Sequence, residues 1–183
     1  VLYKLKKNTQ LRLSYGSGFR APQAFDTDLH IAFAGGGISR VTLDPNLKEE
    51  RSQSYSASIN YDKPYDNFIF GFTFEGFHTI LNDAFFLQPN GSDDFGFLFE
   101  KQNGQSAKVS GLTLELRTNY RKIIQLEAGG TIQANRYDIA IPYIDGVPPT
   151  RNFIRTPNSY GFAIITLNPI KKVSMNLNYV YTG

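Results

Sequence analysis

Hydrophobic and polar residues alternate with period two through most of this chain. In 52–61, Tyr55, Ala57, Ile59 and Tyr61 fall on one side, with Ser54, Ser56, Ser58 and Asn60 on the other. In 67–77, Phe68, Phe70, Phe72 and Phe74 share a side, with Asn67, Thr73 and Glu75 opposite. Leu112, Leu114 and Leu116 oppose Thr113, Glu115, Arg117 and Asn119 in 109–119. In 124–135, Ile124, Leu126, Ala128, Ile132 and Ala134 oppose Gln125, Glu127, Thr131, Gln133 and Asn135. The first and last segments repeat the pattern, with Leu11, Leu13 and Tyr15 against Arg12 and Ser14, and Val173, Met175, Leu177, Tyr179 and Tyr181 against Ser174, Asn176 and Asn178. Successive side chains of an extended strand point to opposite faces, so each segment predicts a strand with one apolar and one polar face.

The connections alternate as well. Tight polar turns fall near 6–9, 62–67, 120–123 and 168–172, and long excursions run roughly over 19–49, 82–105 and 139–156. The expectation is an all-β, antiparallel up-and-down meander with short turns at one end and long loops at the other. Phe95, Phe97 and Phe99 alternate inside the second excursion and predict a short β-extension there. Asn90-Gly91-Ser92-Asp93-Asp94 reads as a turn. Gly16 and Gly18 predict a bend or bulge near a strand end, and Pro22 a stop to the ladder.

Two architectures fit such faces. A soluble or cell-surface β-sandwich binding module hides its apolar face in a core. A membrane barrel turns that face to lipid and lines a wet lumen with the other. The patterned segments run about ten to fifteen residues, against ~5–6 for soluble strands and ~9–11 for membrane strands. Tyr61, Phe68, Tyr120 and Tyr179 lie near short turns, where an interfacial girdle belongs. Length and girdle favour the barrel.

Composition narrows the function classes. The 183 residues carry a net charge of +3, with 41% hydrophobic and 19% charged residues. That charge is too mild to argue for nucleic acid, and Lys6, Lys7, Lys63, Arg121, Lys122, Lys171 and Lys172 sit in short turns. There is no cysteine, hence no disulfide and no thiolate metal site. No run approaches ~18 apolar residues, so no transmembrane helix is expected. The mean hydropathy of −0.30 suits a barrel with a polar lumen.

Candidate chemistry is sparse. The histidines are His30 and His78. His30 lies near Asp26 and Asp28, but the spacing fits no metal motif, and no metal site is assigned. His78 continues the Phe68–Phe74 face at the outer end of its strand, above the lipid band. No Ser-His-acid pattern appears, and Gly35-Gly36-Gly37 lacks the Lys of a phosphate loop. No catalytic residue and no cofactor are expected. Ligand contact belongs to the long loops, and the candidates are Arg20, Asp26, Asp28, His30, Tyr143, Arg151 and Arg155. Arg151 and Arg155 suit an anionic chelate; the bland alternative is solvated loop charge. Arg12, Glu75, Glu115, Arg117 and Glu127 fall on the polar face.

Two stretches carry a family signal. "LRLSYGSGFRAP" contains Gly18, Phe19, Arg20, Ala21 and Pro22. "DPNLKEERSQSYSASINY" contains Asn46, Leu47, Glu50 and Ser52. Together they resemble the barrel of TonB-dependent outer-membrane receptors, where a Gly-Phe-Arg-Ala-Pro run precedes an Asn-Pro-x-Leu-x-Pro-Glu-x-Ser run. Glu49 stands where that family usually has Pro. "KVSGLTLELRTNY", with Gly111, Thr113 and Glu115 in step, and "RTPNSYGFAIITLNP" and "VYTG" resemble its later strands.

The resemblance implies that residues 1–183 are a fragment, a partial arc of about 8–9 strands from the later part of a large transmembrane barrel of ~22 strands. The plug domain, the TonB-contacting segment and the terminal strand lie outside it. It also implies a Gram-negative outer-membrane location and active import of a scarce ligand: a ferric siderophore, haem, cobalamin or an oligosaccharide. The implied partners are outer-membrane lipid, that small-molecule or metal-chelate ligand, and the plug and TonB system of the parent protein. A passive porin is the alternative that shares the barrel.

Overall fold

The computed structural model describes residues 1–22, 40–93, 96–141, 148–152, 156–170 and 172–183. All regular structure among them is β. The strands are β1 (Leu2–Lys6), β2 (Thr9–Arg20), β3 (Arg40–Leu43), β4 (Glu50–Pro64), β5 (Phe68–Asn82) and β6 (Phe85–Asp93). They continue as β7 (Gly96–Asn103), β8 (Ala107–Tyr120), β9 (Ile124–Ile141), β10 (Thr150–Asn152), β11 (Ser159–Ile170) and β12 (Val173–Thr182). Nine form one antiparallel sheet in the order β1-β2-β4-β5-β8-β9-β11-β12, with β10 paired to β9. Apart from strands set aside at the loop end, this is a meander.

The short turns close where the polar clusters predict. The β8–β9 turn places both Arg121 (φ 50°) and Lys122 (φ 60°) in the left-handed region. That matches the right-handed twist of the flanking strands. Asn119 Oδ1 accepts the Lys122 N–H at 2.8 Å, and Arg121 Nε donates to Asn67 Oδ1 of the neighbouring turn at 2.8 Å.

Burial is inverted relative to a soluble domain. The apolar face is uncovered: Ile132 is 63% exposed and Leu177 67%. The most enclosed described residues are mainly polar, among them Thr131 at 7% and Asn135 at 3%, and Ala107 is the sole buried hydrophobic one among them. A sandwich would cover Leu112, Leu114 and Leu116 with a second layer; here each stays exposed. The sandwich alternative therefore falls, and the sheet is a single open layer.

Three local expectations change. β2 pairs with β4 without a break from Thr9↔Tyr61 to Arg20↔Glu50, so Gly16 and Gly18 make no bulge, and Phe19 and Arg20 belong to the strand, not the loop. The second excursion does carry the expected extension, β6–β7, but β3 joins it in parallel through Arg40↔Leu98 to Leu43↔Lys101, a pairing that departs from the meander. Gly91 (φ 87°) lies within β6, where the register shifts between Pro89 and Ser92, so Asn90-Gly91 forms an irregularity in a strand and not the turn itself.

Candidate functional site

The three long connections leave from one end of the sheet, and the extension β3-β7-β6 stands there. Asp83 (φ 53°) breaks β5 from β6. Asn103, the last residue of β7, then ties three backbone segments together. Its Oδ1 accepts the Lys48 N–H at 2.7 Å, and its Nδ2 donates to Lys48 O at 3.0 Å and to Asp83 O at 2.9 Å. Asp44 shapes the descent into β4, accepting the Asn46 N–H at Oδ1 (2.7 Å) and the Leu47 N–H at its carbonyl (3.0 Å).

The extension is also fastened to the sheet itself. Glu50 Oε2 accepts the Phe85 N–H at 3.0 Å, and Glu50 Oε1 lies 3.5 Å from Arg20 Nε. The Arg20 guanidinium sits 4.9 Å from the centre of the Phe85 ring, and Lys101 Nζ 5.0 Å from it. Both distances lie within cation–π reach. Lys101 is only 2% exposed, so its charge is held out of water beside that ring.

The register explains why the two sequence runs occur together. Gly18 faces Ser52, Phe19 faces Arg51 and Arg20 faces Glu50 across the β2–β4 ladder. A Cβ on Gly18 would meet Ser52 Oγ at 3.1 Å, so glycine lets the two strands carry this pair without crowding. Asn46 and Leu47 belong to the turn that Asp44 caps. Just before β4, Glu49 fills the position of the family's proline. It accepts from Arg51 Nη2 at 2.5 Å and Nε at 3.0 Å, and this guanidinium holds its carboxyl below the ordinary Glu range.

The far end of the sheet is ringed by aromatics. Tyr61 stacks on Phe72 with centres 5.6 Å apart, and Tyr65 on Phe68 at 4.5 Å. Lys63 and Arg121 lie over the Tyr65 and Tyr120 rings. Amphipathic rings capped by cations suit a boundary between hydrocarbon and water.

The sequence model of the TonB dependent receptor-like β-barrel matches residues 1–183. The chain belongs to that family. No curated relative matches the sequence. Among solved structures, the FrpB iron transporter of Neisseria meningitidis (F3-3 variant) is similar with a TM-score of 0.62 at 14% identity, over 98% of this chain and 25% of that one. A double mutant of the Serratia marcescens hemophore receptor HasR, solved with its hemophore HasA and heme, gives a TM-score of 0.70 at 12% identity over 98% and 30%. The chain thus spans roughly a quarter to a third of either structure's length.

In a TonB-dependent receptor barrel the apolar face meets lipid and the polar face lines the lumen. Arg20 then closes β2 on the lumen side of the mouth, joined to Glu50. Arg151 stands in β10 beside the upper end of β9. Asp26, Asp28, His30, Tyr143 and Arg155 lie outside the described residues, as does the Gly35–Gly37 run. Among the described residues no cluster of three or more His, Asp or Glu side chains could hold a metal. His78 faces outward in the row of Tyr15 and Tyr55, its Nδ1 2.7 Å from Ser110 Oγ. Phe85 is among the residues that the second excursion offers for ligand contact, whereas sequence reasoning missed Lys101 and Asn103. Nothing in their local pattern marks them, because their partners lie 16 to 55 residues away.

Proposed function

We propose that this chain forms wall and outer mouth of a receptor in the outer membrane of a Gram-negative cell, and that the parent protein actively imports an iron chelate, either haem or a ferric siderophore. One observation carries the reading: an uncovered apolar face backed by a polar one, on strands long enough to cross a bilayer, in a chain of the receptor-barrel family. The ligand class is supported by the similar folds, one titled an iron transporter and one a hemophore receptor with heme. Cobalamin or an oligosaccharide is the second choice.

In this reading the chain performs no bond chemistry. Asp26, Asp28, His30, Tyr143 and Arg155 belong to the loops that receive ligand, Arg151 stands on the outer wall beside β9, and Arg20 holds the mouth in shape. The parent supplies the plug, the terminal strand and the segment that takes energy from TonB.

The test uses the parent gene in iron-limited cells. Its deletion should abolish growth on haem or on a ferric siderophore, and loss of TonB should do the same. Uptake that persists without TonB would indicate a passive porin. This chain has no cysteine, so a cysteine at Phe97 or at Tyr65 can report topology. A membrane-impermeant maleimide should label the first on intact cells and spare the second. Labelling of both removes the reading.

A further inference from the structure

The lipid-facing side of the sheet is not uniformly apolar. Lys108 of β8 and Arg136 of β9 are direct cross-strand partners. Like charges placed opposite each other destabilise a sheet. Asp138 relieves only one of them, accepting from Lys108 Nζ at 2.7 Å. Arg151 lines the same hollow, of about 440 Å³. Arg136 and Arg151 are exposed, and among the described residues neither has an ion-pair partner. Three cations therefore surround one carboxylate.

This charge is local. Following the same row across the sheet, β2, β4 and β5 contribute Ser17, Gln53 and Ile80. Directly below, through Ser110 and Ala134, the hollow opens into an apolar depression of about 910 Å³. Its floor is the small pair Ala57 and Gly76, and its sides are Leu13, Leu112 and Ile132. The cations stand four residues up the strands from Leu112 and Ile132, ~13 Å of strand. That spacing sets phosphate-binding groups at headgroup level directly above an acyl-sized bed. A soluble anion entering the mouth would meet the opposite face.

We propose that Lys108, Arg136 and Arg151 bind the phosphate of a membrane lipid whose acyl chains lie in the depression over Ala57 and Gly76. The proposal rests on the membrane-barrel reading.

The test takes the full-length parent protein extracted from outer membranes in detergent. Native mass spectrometry reads retention of phosphatidylglycerol against phosphatidylcholine, with inorganic phosphate as a competitor. The variants are K108Q/R136Q/D138N/R151Q, the milder R136Q/R151Q, which breaks no ion pair among the described residues, and K63Q, a cation at the other rim. Wild type and K63Q should prefer the anionic lipid about tenfold or more. Both site variants should lose most of that preference while keeping the heat-modifiable mobility of a folded barrel. An unchanged preference in R136Q/R151Q overturns the site and leaves the barrel reading standing. Full displacement by inorganic phosphate at millimolar concentration also overturns it, since the acyl bed would then contribute nothing. A parent protein that fractionates outside the membrane overturns both.

Discussion

Arg117 of β8 reaches over Gly71 of β5 to Asp62 of β4. Its Nε donates to Asp62 Oδ1 and its Nη2 to Asp62 Oδ2, both at 2.9 Å, while Nη1 donates to Thr73 Oγ1 at 2.8 Å. The three residues occupy one row of the polar face. A two-pronged bridge that skips a strand needs that strand to be bare. A Cβ on Gly71 would sit 2.1 Å from Asp62 Oδ1 and 2.9 Å from Arg117 Nε. Gly71→Ala should therefore break the bridge and destabilise the folded parent barrel by about 1–2 kcal/mol. Since both ends are partly solvated, most of that cost is steric. Asp62→Ala should remove much of it when combined with Gly71→Ala. Denaturant unfolding in micelles, run as a double-mutant cycle, checks the coupling; additive effects would refute the skip-strand account.

Asn103 ties Lys48, Asp83 and the extension together. Asn103→Ala leaves the Lys48 N–H and two carbonyls without their partner and should cost about 1–3 kcal/mol locally. The barrel strands should stay protected. Limited proteolysis of the parent protein should cut within 83–106 faster in the variant, with amide exchange in β8 and β9 unchanged.

A charge on the lipid face should behave differently from one on the lumen face. Leu114 is exposed near the middle of β8, and Leu114→Arg should cost ~2–4 kcal/mol for folding into a bilayer. Thr113→Arg, one residue away, turns the same charge toward the lumen and should cost far less. Equilibrium folding into vesicles measures both.

Glu49 provides the pH prediction. Its folded carboxyl is held below the ordinary Glu range, first by the hydrogen bond from Arg51 and further by that charge. Any stability from this contact is fully present above the unfolded Glu pKa and is lost as pH falls through the lower folded value. Carboxyl carbon NMR of the parent should show Glu49 titrating at acid pH, and Arg51→Gln should return it to the ordinary range. No movement in the variant would show that Arg51 is not the cause.

The isolated arc should not survive in plain buffer as a monomer. β1 and β12 each leave one ladder side unpaired among the described residues, and the faces of Leu112–Leu116 and Leu177 stay uncovered. Sedimentation should show self-association that detergent suppresses. A monomer with sharp amide dispersion in buffer would argue against an open sheet.

The sequence by itself determined the strands, their faces and the ends at which they turn. A period-two pattern and a polar turn are local: each is written in a few adjacent residues such as Phe68–Phe74 or Asn119–Lys122, and the backbone obeys at once. The Gly18–Arg20 and Asn46–Ser52 runs were visible for the same reason, although not why they travel together. Tertiary structure alone decided what depends on register. It set Arg20 against Glu50, brought Phe85 and Lys101 beside them, laid β3 along β7, and put Lys108 opposite Arg136. A shift of a single residue in any ladder would undo each of these pairs while leaving every local pattern intact. It also decided between sandwich and barrel, because alternation prescribes an apolar face without saying whether a second sheet or a membrane will cover it.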